Sequence, residues 1–159
     1  MKIVNENFRI LNVKTEEVSQ IFSRLATKND IFWPIEKWPP MKLDKGFEIG
    51  SKGGHGPIRY SVAAYTFGKS VKFKFTKPIG FNGFHMFEVL PLNNKQTQIK
   101  HVIEMNANGR GIFLWFIGIK WLHEALIQDA FDKVENYFQK DNKETPWNIW
   151  VHLLRFFLK

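Results

Sequence analysis

From Gly46 to about Asn108, apolar and polar residues alternate with a period of two, and turn residues interrupt the alternation. The pattern predicts strands at 46–52, 57–66, 70–76, 82–91 and 96–107, with a shorter first strand at 7–13. The links at 53–56, 67–70, 78–80 and 93–95 are short, and short links make hairpins, so an antiparallel meander is expected. A turn at 67–70 places Val62 and Ala64 opposite Phe75 and Phe73; the next two turns place Phe73 opposite His85 and His85 opposite Ile103. One face then gathers Tyr60, Val62, Phe73, Phe75, His85, Phe87, Val89, Ile99, His101, Ile103 and Met105. The other gathers Arg59, Ser61, Lys72, Lys74, Lys100 and Glu104, with Tyr65 and Phe84 as apolar exceptions. A slip of one residue would invert this sorting, so the agreement of the hairpins supports the pairing.

Two helical patterns flank the strands. Thr15 is a candidate N-cap, followed by Val18, Ile21, Phe22 and Leu25 at helical spacing as far as 27–30. A Trp- and Pro-rich segment, 31–43, follows, in which Trp33 and Trp38 are expected to pin the loop to the body of the domain. After Gly109 and Gly111 a single long helix is predicted over 112–139. Its inward stripe runs through Ile112, Trp115, Phe116, Ile119, Leu122, His123, Leu126, Ile127, Ala130, Phe131, Val134 and Phe138. Its first half is apolar almost all round, which predicts burial on more than one side. An α+β fold results, a curved antiparallel sheet wrapped around the long helix with an apolar cavity between them.

The tail, 145–159, is a separate pattern. Pro146 can open a helix in which Asn148, His152, Arg155 and Lys159 form a narrow polar stripe and all else is apolar. Packing on the domain or on a second copy is expected before contact with a membrane surface. The division expected is therefore a domain at 1–140 and an apolar helical tail at 141–159.

Composition sharpens this picture in three ways. The 159 residues include 16 Phe, 6 Trp and 3 Tyr, an aromatic supply that fills cores and also lines apolar cavities. The absence of cysteine excludes disulfides, thiolate metal sites and a Cys nucleophile. The formal charge is +8, but the basic residues are spread along the chain, so a solvated basic surface is expected rather than a nucleic-acid footprint. The N-terminus lacks a signal-peptide pattern and no stretch is long and apolar enough to span a bilayer, so a cytoplasmic location is expected.

Candidate chemistry rests on histidine. His85 and His101 fall on neighbouring strands of the inward face, where an imidazole can orient a polar ligand head or move a proton. The ordinary alternative is a core histidine bonded to a carbonyl or water. His123, on the helix stripe, can approach the same space. No acidic ligand falls in register, so no metal is expected, and no cofactor. GlyGlyHisGly at 53–56 lacks the features of a phosphate loop and is read as a hairpin loop at the cavity mouth, with His55 and Arg59 solvated. The expected lining is Tyr60, Phe73, Phe75, His85, Phe87, His101, Ile103 and Met105 from the sheet, with Trp115, Ile119 and His123 from the helix.

The stretch GHGPIRYSV, the Phe-Gly-Lys turn followed by VKFKF, GFHMFEV at 83–89, QIKHVIEM at 98–105 and the helix at 121–138 together resemble the START-like, or SRPBCC, superfamily, in particular its polyketide cyclase/dehydrase-like group. The resemblance spans about residues 5–140 and implies a helix-grip fold. It carries no family-wide catalytic motif, and fold does not fix function. The leading expectation is non-catalytic binding of a small lipid-, isoprenoid- or polyketide-like molecule. One alternative is a cyclase, aromatase or dehydratase using His85 and His101 as acid and base. Another is a membrane-peripheral or interaction module working through the tail.

Overall fold

The computed structural model describes residues 1–140 and 142–157. Seven strands form one antiparallel sheet: β1 Lys2–Leu11, β2 Lys42–Leu43, β3 Lys52–His55, β4 Ile58–Thr66, β5 Ser70–Lys77, β6 Phe81–Asn93 and β7 Gln96–Ala107. Their order is β1-β7-β6-β5-β4-β3-β2, so the chain meanders from β2 to β7 and the first strand closes the far edge against the last. Helix α1 spans Thr15–Phe22, and three helices follow the sheet: α2 Arg110–Leu114, α3 Lys120–Gln139 and α4 Ile149–Phe157. A π-helical segment, Trp115–Ile119, joins α2 to α3. The sheet is curved and grips the long helical run, as the alternation of the strands predicts. Among the described residues, no helix is long and apolar enough to cross a membrane.

The face sorting read from the sequence is the one the molecule uses. Every residue assigned to the inward face, from Tyr60 to Met105, is buried. Phe73 pairs with His85, and His85 with Ile103. One register differs: Val62 pairs with Phe73 and Tyr60 with Phe75, because irregularities at Arg59/Tyr60 and Val62/Ala64 shift the β4–β5 ladder. A shift of two residues along a strand keeps each side chain on its own face, so the core is unchanged. Of the strand expected at 46–52 only Lys52 is in a strand, as the start of β3; the chain turns through 44–50, and the ladder runs through the glycines, Gly53 pairing with Tyr60 and Gly54 with Arg59. Thr15 does not cap α1; its hydroxyl lies 3.0 Å from that of Thr97, while Lys14 occupies the N-cap without a side-chain bond.

The expected single helix is divided. The π segment widens one turn, so the apolar stripe changes angle at Trp115–Ile119. Trp115 is buried, but Phe116, placed in the inward stripe by uniform 3.6-residue spacing, is 48% exposed. Phe113 and Ile117 are also largely exposed, so burial on more than one side does not occur.

Polar anchors hold the covering elements in place. Asp30 accepts backbone N–H bonds from Ala26, Phe32 and Trp33, each at 2.8 Å, which shapes the Trp-rich loop. Arg9 of β1 reaches across to α3, bonding Asp132 and Gln128 at 2.9 Å and pairing with Glu135. Asp129, buried on α3, accepts the indole N–H of Trp38 at 2.7 Å and of Trp147 at 2.8 Å. Lys37 adds an ammonium at 3.1 Å from the same carboxylate.

The tail lies on this frame. Val151 is 1% exposed and belongs to the core, and the Arg155 guanidinium stacks over Trp38 and Trp147 at 4.4 and 4.6 Å. The Lys159 end of the polar stripe read from the sequence, with Asp141 and Leu158, lies outside the described residues.

These contacts predict the cost of losing one carboxylate. Asp129→Ala strands two indole N–H groups and an ammonium, and should lower stability by about 3 kcal/mol in urea denaturation. Limited proteolysis of the variant under native conditions should release the tail earlier than in the parent. A variant as stable as the parent, with an equally protected tail, would show that Asp129 does not join these elements.

Candidate functional site

A cavity of about 410 Å³ lies between the sheet, α3, the Trp-rich loop and α4. The sheet supplies His55, Phe75, Phe81, His85 and Ile103, and the helical run supplies Trp115, Ile119, Leu122, His123 and Leu126. Trp33, Trp38 and Pro39 of the loop, the 56–58 turn and Arg155 of α4 complete the wall. Nearly all of this surface is hydrocarbon or aromatic ring. The exceptions are three imidazoles and one guanidinium, and no carboxylate is among the lining residues.

The expected lining divides into two layers. Phe75, His85, Ile103, Trp115, Ile119 and His123 border the cavity. Tyr60, Phe73, Phe87, His101 and Met105, expected beside them, pack behind the wall because large rings stack over them. Phe73 and Phe75 stack against His85 at 4.9 and 5.0 Å, and Phe87 meets His101 edge-on at 4.3 Å.

Sequence reasoning missed His55. Its GlyGlyHisGly setting reads as a mobile loop, yet Lys52–His55 is a paired strand and the ring packs edge-on to Trp33 at 4.9 Å. The available signal was the alternation itself: His55, Phe75, His85 and Ile103 share one face if the strand is carried through the glycines. Arg59, its neighbour in that expectation, is exposed.

The polar rings form a continuous row. From His55 to Tyr60 the ring centres are 5.8 Å apart, from Tyr60 to His85 4.8 Å, from His85 to His101 5.4 Å, and from His101 to His123 4.7 Å. His85 Nδ1 and His101 Nε2 are 3.2 Å apart and share a hydrogen bond. Either nitrogen can donate, and the choice fixes both tautomers. If His85 Nδ1–H donates, its Nε2 becomes an acceptor; if His101 Nε2–H donates, His85 Nε2 carries the proton instead. The pair can therefore change its hydrogen-bonding sense without changing charge.

Five buried polar atoms of this row lack a protein partner: His55 Nδ1, Tyr60 Oη, His85 Nε2, His101 Nδ1 and His123 Nδ1. Burial holds all four imidazoles neutral. Desolvation lowers His55 to about 4, with the Arg59 charge adding to it, and lowers His123 to about 3, with His55 adding. His85 and His101 lie well below the ordinary 6.5 for the same first reason, with neighbouring histidines contributing. Desolvation likewise raises the Tyr60 hydroxyl, so it remains protonated. Among the described residues, no group of three or more His, Cys, Asp or Glu side chains is arranged to hold a metal ion.

No family model matches the chain, and no curated protein matches it. Solved structures do. A protein of Thermobifida fusca aligns over 91% of this chain and 99% of its own, at 8% identity and a TM-score of 0.66. Norcoclaurine synthase of Thalictrum flavum, solved with dopamine and hydroxybenzaldehyde, aligns over 91% of this chain and 90% of its own, at 11% identity and a TM-score of 0.64. A START superfamily protein of Mycobacterium smegmatis covers 86% of this chain and 97% of its own, at 10% identity and a TM-score of 0.53. Identities this low speak for architecture alone, and the architecture agrees over most of the chain: it has the START-like helix-grip fold.

Proposed function

We propose that this protein binds a small, mostly apolar molecule carrying one uncharged polar group, and that the imidazole row receives that group. The observation that carries this reading is that three imidazoles, His55, His85 and His123, line an apolar cavity of about 410 Å³ and that each keeps a buried ring nitrogen without a protein partner. A buried polar atom without a partner costs about 1–3 kcal/mol, and a ligand hydroxyl, phenol or carbonyl would recover part of that cost. An anionic head would meet neutral rings and only one cation, Arg155, whose guanidinium is stacked between Trp38 and Trp147. The tautomeric freedom of the His85–His101 pair suits either a donor or an acceptor on the ligand. The cavity volume lies within the usual range for small-molecule pockets, about 300–1,000 Å³.

A second reading draws on the same pair. His85 and His123 border one volume, and His85 is bonded to His101, which is the arrangement that acid/base catalysis on an enclosed substrate requires. Burial weighs against it. A general acid or base works best with a pKa near the operating pH, and these rings are held far below it. As hydrogen-bonding groups they function well; as proton carriers near neutrality they are poor.

Binding is tested by native mass spectrometry and organic extraction of the purified chain, followed by titration with 1-decanol and decane against the fluorescence of the wall tryptophans. The alcohol should bind about tenfold more tightly than the hydrocarbon, one good hydrogen bond in a dry site, and His123→Leu should remove most of that preference. If nothing co-purifies and neither compound perturbs the fluorescence, the binding reading is wrong.

The neutral imidazoles also set a pH dependence. Each has a folded pKa below its unfolded value of 6.5, so the unfolded chain takes up more protons between the two. Stability is therefore fully present above about 6.5 and falls as the pH is lowered toward the folded value, by up to ~1.4 kcal/mol per pH unit for each ring. His123→Leu should flatten the slope by about one ring's share between roughly pH 6 and pH 4. Urea denaturation at several pH values checks this, and an unchanged slope would mean that the ring is not buried neutral.

A further inference from the structure

The helical run that walls the cavity has a second apolar face, and that face is open. Trp115, Ile119 and Leu122 point to the cavity, while Phe113, Phe116 and Ile117 are 68%, 48% and 56% exposed on the outside. Helix α4 continues the patch rather than covering it. Its Trp150 indole donates to the Ile117 carbonyl at 2.7 Å, which fixes the two elements side by side. Beyond that bond, Leu153 and Phe156 are 44% and 73% exposed. Monomeric proteins seldom leave so many large apolar side chains together in water.

The segments that build the patch carry basic residues and no acidic ones. The sequence has no Asp or Glu between Glu104 and Glu124, and none after Glu144. Arg110 and Lys120 fall within the first of these acid-free stretches. A second copy docked on this face by a two-fold axis would set one basic segment against another without supplying an acidic one. An anionic bilayer supplies both what the apolar side chains lack and what the cations lack. Trp150 adds an amphipathic ring of the kind that favours the headgroup level.

We propose that the outward face of α2, the π segment and α4 docks in the interfacial layer of an anionic lipid bilayer. Docking there sets the cavity wall formed by Trp115, Ile119 and Arg155 against the membrane. An apolar ligand can then pass between lipid and cavity without crossing water. The surface extends beyond the binding reading and can be tested apart from it.

The test is co-sedimentation of the full chain with vesicles of phosphatidylcholine alone and of phosphatidylcholine with phosphatidylglycerol. Binding should appear with phosphatidylglycerol, weaken with added salt, and fall by about tenfold or more in Phe116→Asp and Phe156→Asp. Both positions are exposed, and circular dichroism melts should show the fold retained; Phe113→Asp serves in place of a variant that does not fold. Absence of binding to the anionic vesicles would overturn the proposal. So would variants that bind as well as the parent, since diffuse basic charge would then suffice. A parent of twice the chain mass in light scattering, returned to the chain mass by Phe116→Asp, would assign the face to a second copy instead. Decanol titration without vesicles keeps the two readings apart: patch variants should retain it, and His123→Leu should lose the alcohol preference while still sedimenting with lipid.

Discussion

The closure of the cavity depends on one buried carboxylate. Asp129 sits on the face of α3 that looks toward the Trp-rich loop, and its Oδ2 receives the indole hydrogens of both Trp38 and Trp147. Those two rings come from segments far apart in the chain, one before the sheet and one after the long helix. With both bonds made, the rings meet edge-on at 5.6 Å and offer Arg155 two faces to stack on. The loop, the helix and the tail thus meet at this carboxylate, flanked by the Lys133 bond to the Trp33 carbonyl and the Thr145 bond to Asp132, and the cavity is what remains between that joint and the sheet. A carboxylate so deeply placed is tolerable because its lone pairs are used and Lys37 stands beside it.

The row from His55 to His123 is a different kind of polar burial. It is connected ring to ring, but only the His85–His101 contact is a hydrogen bond, and every member retains a buried atom without a partner. Where Asp129 is satisfied, the imidazoles are not. Partly satisfied polar groups inside a core cost stability, which a protein tolerates where the groups have work to do. Aromatic packing keeps the rings in place meanwhile: Phe73, Phe75 and Phe87 clasp His85 and His101 from the sheet side. That packing fixes imidazole orientation independently of whatever the nitrogens bond to, so a molecule of the proposed kind would meet a site already organised.

Alternation of side chains made most of the fold legible before any coordinates. Inward residues such as Phe73, His85 and Ile103 are recognisable because strand periodicity is strict, and even the irregular β4–β5 ladder moves partners by two positions and leaves faces intact. The sequence places His85 and His101 on one face, whereas the approach of His123 depends on a helix rotation that spacing does not fix; the ring centres of His101 and His123 are 4.7 Å apart. Other features were less accessible for identifiable reasons. Glycine carries no side chain to alternate, so Lys52–His55 looks like a loop and His55 disappears with it. A π turn has no sequence signature in the apolar run around Trp115, and uniform helical spacing therefore misplaces Phe116. Which inward residues touch open space, and which lie behind them, depends on ring stacking that periodicity does not encode; Tyr60 and His101 are examples.

The π segment also explains how one stretch of helix can be apolar on two sides without being buried on both. An unbroken α-helix through 110–139 would carry its stripe smoothly from the α3 core to the sheet end, and Phe116 would turn inward with it. With the turn widened, Trp115 and Ile119 border the cavity while Phe116 and Ile117 face outward. The carbonyl of Ile117 accepts the Trp150 indole, and that bond holds the tail beside the π segment. The wall of the cavity and the exposed apolar patch are two faces of one helical run: Trp115, Ile119, Leu122 and Leu126 recur at i, i+4, i+7 and i+11 along the cavity, and Phe113, Phe116 and Ile117 recur at i, i+3 and i+4 along the outside. An apolar cavity and an outward apolar surface therefore come from two stripes of the same run.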